Sequence, residues 1–286
     1  MKKLLYLFVL FGVTMFTSCS NELNEDVAPP PTNEQAKLVT FTFGQFTQQA
    51  ITRASLSEAR MTDLWMFDYI GDELKQTIHQ SSSDEGFGSI SATMSYGNHT
   101  LYFVASRGET PTVNTELHKI TWDKPLDTFW ATTTMTVSST SGSAEAISLQ
   151  RVVTRFKLTL LDEITSEMAK ISVTPARWYY GIDYITGDGT DAIDNQARAV
   201  NIPSNYIGTS GTLNFAIFSF VPTSDWQTDF SCNLLASDES VLSSVTLENV
   251  SLKKNITTSY SGYILSSKTF TLTVDDTWGT EETYTW

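Results

Sequence analysis

Leu38-Val39-Thr40-Phe41-Thr42-Phe43 alternates at every step, with Val39, Phe41 and Phe43 on one side of an extended chain and Thr40 and Thr42 on the other. A period of two built from β-branched and aromatic residues is the pattern of a half-buried strand. Outward from it the pattern recurs. Residues 64–70 (Leu-Trp-Met-Phe-Asp-Tyr-Ile) form a more fully apolar run closed by a Gly71-Asp72 turn. Residues 88–94 alternate, and Tyr96-Gly97-Asn98-His99 turns the chain into 100–105. Residues 129–137 follow as a strand, then a loop of small polar residues from 138 to 144. Residues 147–160 are long for one strand and call for either a bend near Arg151 or a strand shared between two halves. Further strand candidates are 171–174, 178–180, 211–221, 229–235, 241–250, 260–265 and 269–274. Helical periodicity is confined to 56–61 and 162–168, each short enough to be one turn. Many short strands joined by turns predict an all-β chain of two tandem antiparallel β-sandwich domains, 38–148 and 149–286.

The N-terminus carries a different signal. Met1-Lys2-Lys3 is a short basic head, residues 4–16 are nearly all apolar, and the small residues Thr17 and Ser18 precede Cys19. A basic n-region, a short apolar h-region and small residues at the junction make a secretory signal, here 1–18, and the run is too short to span a bilayer. A cysteine at that junction is the requirement of a bacterial lipoprotein. Its thiol takes a diacylglyceryl group, the preceding peptide is removed, and the new amine can be acylated. Several acyl chains at about 0.8 kcal/mol per buried methylene hold the chain nearly irreversibly to the outer membrane. Residues 19–37 are polar, acidic and bear Pro29-Pro30-Pro31, so they predict a disordered tether. Loss of Lys2 and Lys3 takes the formal charge from −14 to −16, which disfavours nucleic acid as a partner. Lipidation uses one of the two cysteines, leaving Cys232 as a small core residue with no disulfide partner.

No catalytic constellation emerges. His79, His99 and His118 lie in polar, turn-like contexts and read as surface histidines. None has the spacing of a zinc site, and neither a nucleophile elbow nor a P-loop is present. Gly187-Asp188-Gly189-Thr190 lacks the third glycine and the following helix of a dinucleotide fingerprint. Asp183, Asp188, Asp191 and Asp194 are hard ligands without EF-hand spacing, so they read as a solvated acidic loop. Trp226 and Trp286 sit outside the apolar runs and are candidates for an exposed sugar-stacking platform. These residues predict no enzyme, no cofactor and no bound metal.

Several segments together resemble a known family. They are the cysteine-terminated signal, the acidic tether, the Val-Thr-Phe-Thr-Phe strand at 39–43 and Thr52-Arg53-Ala54. Leu64-Trp65-Met66-Phe67-Asp68, Tyr96-Gly97 before 101–105, and Leu149-Gln150-Arg151-Val152-Val153-Thr154-Arg155-Phe156 follow. Residues 249–258 and 270–278 complete the set. The chain resembles the fimbrillin superfamily of Bacteroidales, most of all its FimB/Mfa-type fimbrial anchor branch. The resemblance implies two transthyretin-like sandwiches, surface exposure on the outer membrane and partnership with other fimbrial subunits. It also implies joining by strand addition, in which an open sheet edge is satisfied in trans. Polymerising members lose an N-terminal strand to an arginine-specific protease, which makes Arg53-Ala54 the candidate processing site. Cleavage there would release the lipid with residues 38–46 and suit a shaft or tip, whereas an intact chain suits an anchor or accessory subunit. The polar C-terminal residues after Asp276 make a poor donor strand and favour the anchor or accessory role. A carbohydrate-binding surface lipoprotein is the alternative.

Overall fold

β1 (Ala36–Phe46) realises the alternation of 38–43 and starts two residues earlier, because Ala36 and Lys37 already pair with Ser95 and Met94. The structure, a computed structural model, describes residues 35–46, 60–223 and 226–275. After β1 come β2 (Asp63–Ile70), β3 (Glu73–Ser81), β4 (Ser89–Ser95), β5 (Gly97–Ser106), β6 (Glu109–Asn114), β7 (Lys119–Lys124), β8 (Thr128–Val137) and β9 (Ala144–Arg151). A second series begins with β10 (Val153–Leu160), β11 (Lys170–Pro175), β12 (Arg177–Asp183), β13 (Asp188–Asp194) and β14 (Arg198–Asn201). It ends with β15 (Leu213–Phe220), β16 (Trp226–Leu235), β17 (Val241–Leu252), β18 (Thr257–Gly262) and β19 (Phe270–Asp275). Among the described residues the only helical element is a 3-10 turn at Ser204–Tyr206. Residues 162–168 form an irregular connection rather than a helical turn. Ile164 N donates to Thr209 O there, and the Asp162 carboxylate is engaged by a distant loop.

Two sandwiches follow one another along the chain. The first is one seven-stranded sheet, ordered β3-β2-β5-β8-β9-β1-β4, that doubles over at β9. β9 pairs in parallel with β1 through 144–149, yet reaches β8 only at Gln150 and Arg151. That crossing lets Val39 and Phe41 of β1 meet Leu64, Met66 and Phe103 of the opposite face in one apolar core. Residues 147–160 therefore contain the bend expected near Arg151: β9 ends there and β10 starts at Val153. In the second sandwich β15-β10-β18-β19 faces β14-β11-β16-β17. Its core is centred on Phe156 stacked on Phe230 at 3.9 Å, with Trp178 edge-on to Phe230 at 5.5 Å. Each sandwich departs from a purely antiparallel layout in one place, with β1 parallel to β9 and β10 parallel to β18.

The sandwiches are joined without a linker. β6 and β7 of the first half continue into β12 and β13 of the second as one four-stranded sheet. Beneath it Trp65, Phe67, Trp122, Tyr184 and Phe220 form a further buried core. Phe67 and Tyr184 stack at 3.7 Å, and the Tyr184 hydroxyl meets that of Tyr69 at 2.9 Å. Arg151 pins the joint. Its Nε and Nη2 donate to the two carboxylate oxygens of Asp127 at 2.6 and 2.8 Å, and its Nη1 reaches Asn255 Oδ1 at 3.3 Å. A two-pronged guanidinium–carboxylate pair fixes angle as well as distance.

Candidate functional site

The residue types that strand addition needs converge on β1. Its inward side chains Val39 and Phe41 are fully buried and Phe43 nearly so. The rings of Phe41 and Phe43 lie 5.4 and 5.2 Å from that of Phe103 on β5. Both edges of β1 are satisfied, by β4 antiparallel over 36–42 and by β9 parallel over 40–46. Outside the ladder Tyr96 N donates to Gln35 O at 2.7 Å, Thr40 N to Ser143 O at 2.9 Å, and Lys37 Nζ to Ser141 O. Three inward apolar side chains contribute about 1.5–3 kcal/mol each on burial. β1 is thus a central strand whose covalent continuity with its neighbours is low, since β4 and β9 are remote in sequence. Removing it would expose two unpaired edges and an apolar slot at once.

Cys19, Arg53 and Ala54 lie outside the described residues, as do tether residues 19–34, Trp278 and Trp286; the last two residues expected in the tether, Ala36 and Lys37, belong to β1. Arg53-Ala54 falls in the sequence between Phe46, the end of β1, and exposed Arg60.

His99 corrects the surface reading. It sits on β5, buried, with Nδ1 2.6 Å from Asp68 Oδ1 and Nε2 2.9 Å from Ser95 O. Gln76 Nε2 donates to the other oxygen of Asp68 at 3.0 Å. The group ties β2, β3 and the β4–β5 turn together inside the protein, closed to any substrate. His79 is exposed, beside Asp63 at 2.8 Å and stacked on Trp65 at 4.8 Å. His118 occupies the β6–β7 turn with a φ of 56° and lies edge-on to Tyr69 and Tyr184.

The acidic residues of 183–194 build a hairpin, β12–β13, rather than a loop. Asp188 pairs with Lys254 at 2.7 Å, Asp191 with Lys119 at 3.4 Å and Asp194 with Arg177 at 2.9 Å. Asp183 Oδ1 accepts from Ile185 N and Thr186 N in the turn. Each carboxylate thus has a local partner, and among the described residues no cluster of three or more His, Cys, Asp or Glu is placed to hold a metal. Gly187, with a φ of 74°, supplies the left-handed turn residue; a Cβ there would press on the Trp130 ring.

Trp226 also departs from expectation. It is buried on β16, 5.6 Å from Trp178 and edge-on to Tyr179 at 5.1 Å, so its ring cannot serve as a sugar platform. Cys232 is fully buried between Val173 and Val245 on the neighbouring strands, and burial pushes its thiol up to about 12. Burial likewise raises the Tyr184 phenol, with the Tyr69 hydroxyl adding to it. No helix among the described residues is long and apolar enough to cross a membrane.

No known family profile and no curated protein matches this sequence. Solved structures do match in fold. A candidate polysaccharide-binding protein from Bacteroides thetaiotaomicron superposes with a TM-score of 0.56 at 10% identity, over 84% of this chain and 96% of its own. A candidate adhesin from the same organism gives 0.52 at 8% identity, over 83% and 95%. A fimbrial assembly protein from Parabacteroides distasonis gives 0.50 at 9% identity, over 86% and 98%. The chain therefore has the two-sandwich fold of Bacteroidales adhesin-like and fimbrial assembly proteins across nearly its whole folded length.

Proposed function

We propose that this chain is a lipid-anchored, non-catalytic structural subunit of outer-membrane fimbriae, acting as an anchor or accessory subunit that keeps its lipid at Cys19. The observation that carries the reading is β1: a fully paired central strand with a buried apolar face, contiguous in sequence with the proposed tether. Such a strand couples a membrane tether directly into the core, which a subunit at the base of a polymer requires. The fold shared with a fimbrial assembly protein supports it. The carbohydrate-binding alternative loses Trp226 as a platform. The Asp68–His99 pair is sealed from solvent and offers no access to a substrate.

Mass spectrometry of the native protein tests the proposal by reading lipid and N-terminus together. The expected species starts at an acylated Cys19, and Cys19→Ala leaves the protein in the periplasm. Membrane fractionation of Cys19→Ala like the wild type refutes the lipid anchor. Treatment with an arginine-specific protease separates the roles. A stable fragment beginning at Ala54 that binds other fimbrial subunits would overturn the anchor assignment in favour of a shaft or tip. Saturable glycan binding on an array would favour the carbohydrate reading.

A further inference from the structure

We propose that a cleft at the corner between the joint and the second sandwich binds a small organic monocarboxylate with a compact apolar body. The cleft has a volume of about 190 Å³. Three sheets meet around it: Lys124 comes from the end of β7, Trp178 from β12, Arg198 from β14, and Ile217 and Phe218 from β15. β7 and β12 belong to the sheet of the joint, β14 to one layer of the second sandwich and β15 to the other. Junctions between packed units are where pockets for small molecules concentrate. The walls are braced without a ligand. Trp178 Nε1 donates to Phe218 O at 2.8 Å, Tyr179 N to Ser219 Oγ at 3.0 Å, and Asn195 N to Ala176 O at 3.1 Å.

Arg198 is the unusual member of this lining. On β14 it stands opposite Val173, and Val200 stands opposite Ile171, so Arg198 and Val200 share the inward face of the sheet. Val200 packs on the core from that face. Arg198 instead lays its guanidinium over the Tyr180 ring, its central carbon 4.9 Å from the ring centroid, and Nη2 donates to the Tyr180 hydroxyl. Among the described residues no carboxylate pairs with Arg198, although the chain holds 32 acidic residues against 18 lysines and arginines. Arg151 and Arg177, by contrast, each hold an aspartate. An inward charge on an edge strand also discourages stray pairing, but that role calls for no recess beside it. Here a flat cationic fork with donors to spare borders an apolar recess, and a carboxylate is the group whose shape matches that fork.

Size, charge and lining define the rest of the ligand. The volume is below the roughly 300–1,000 Å³ of pockets that admit drug-sized molecules, so the occupant is a single ring or a short branched chain. Lys124 Nζ lies 3.0 Å from Glu109, so that cation already has its counter-charge and Arg198 supplies the one left to answer. One carboxylate answers it. A phosphate ester would add surplus negative charge to a chain of formal charge −14. The floor of Trp178, Ile217 and Phe218 favours an apolar ring over a polyol. The small side chains of Ala197 and Ala199, on either side of Arg198, leave the mouth open. Such binding neither requires nor excludes a fimbrial role.

Titration of benzoate into the full-length mature protein, followed by amide and indole N–H chemical shifts, tests the cleft. Benzamide, of the same shape without the charge, is the control. The expected result is saturable benzoate binding with a Kd of about 1 mM or tighter, shifts concentrated at 197–199 and at the Trp178 indole, and benzamide weaker by about tenfold or more. Arg198→Gln, which keeps a donor for Tyr180, should weaken benzoate by about tenfold or more with the fold intact by the same spectra. No saturation, or shifts centred elsewhere, overturns the proposal. Equal binding of benzamide shows that the charge is unused and overturns it as well. Tighter binding of phenyl phosphate or of glucuronate overturns the ligand class, the first through its charge and the second through its polyol body. Should Arg198→Gln fail to fold, the comparison of benzoate with benzamide on the unaltered protein still decides.

Discussion

Truncating Phe41 to alanine asks whether β1 is a structural strand or a detachable decoration. The side chain is fully buried between two ladders, and its ring centroid is 5.4 Å from that of Phe103. Loss of a buried phenylalanine costs about 3–5 kcal/mol, from transfer of the removed atoms and from the cavity they leave. The upper part of that range applies, because pairing to β4 and β9 on both sides stops the backbone from collapsing into the space. Against a total stability of about 5–15 kcal/mol, this removes a large share of what holds the first sandwich. Leu38, three residues earlier on the opposite face and 58% exposed, is the internal control and should stay within about 0.5 kcal/mol when made alanine. Urea denaturation of the mature protein reads both, with a lowered midpoint and an unchanged slope for Phe41→Ala. If Phe41→Ala shifts stability by less than about 1 kcal/mol, no better than Leu38→Ala, β1 is not a core strand and the tether coupling proposed for it fails.

Other expectations follow from the same contacts. The Cys232 thiol is raised from 9.0 to about 12, so the folded state keeps its proton after the unfolded chain has lost it. Its stabilising contribution is complete below pH 9, falls as pH rises toward about 12, and should vanish from the alkaline limb of Cys232→Ala, a slope difference of about 1.4 kcal/mol per pH unit. A thiol reagent should label Cys232 only on unfolding. Asp162→Asn should cost about 1–3 kcal/mol and speed hydrogen exchange at 264–266, because the charged acceptor of four hydrogen bonds is gone. Arg151→Ala strands the buried Asp127 carboxylate and should destabilise by about 3–5 kcal/mol in chemical denaturation. Equal stability of that variant and the wild type would show that the joint does not depend on the pair.

The strands with a dense apolar signal were legible before any coordinates: β1, β2, β8, β10 and β16 lie where alternation or continuous apolar runs put them. The strands that escaped are polar edges. β3 offers only Leu74 and Ile78 as apolar residues facing the protein, and β13 has three aspartates among its seven residues and is mostly exposed. Such strands are defined by the ladder they join, which no local pattern records. The bend at Arg151 was readable from length alone, whereas the doubling of the sheet at β9 depends on pairing with β1, a hundred residues away. His99 misled because Gly97-Asn98-His99 has turn composition, and the partner that buries it, Asp68, is on another strand. Trp226 misled because its polar sequence neighbours hide the aromatic cluster of Trp178 and Tyr179. Of the site itself, the β1 strand was visible as a pattern.

The placement of β1 has a mechanical corollary. A load applied to Ala36 along the strand runs parallel to both flanking ladders, so it acts on the bonds to β4 and β9 in shear and all must yield together. Peeling a strand from one end would break them one at a time. Resistance to such a pull is a matter of unfolding rate rather than equilibrium stability. The parallel β1–β9 pairing strengthens the point, because β9 passes the load on through Arg151 into the second sandwich. Traction on the N-terminal end is thus spread across the first sandwich and its joint before any one strand gives way.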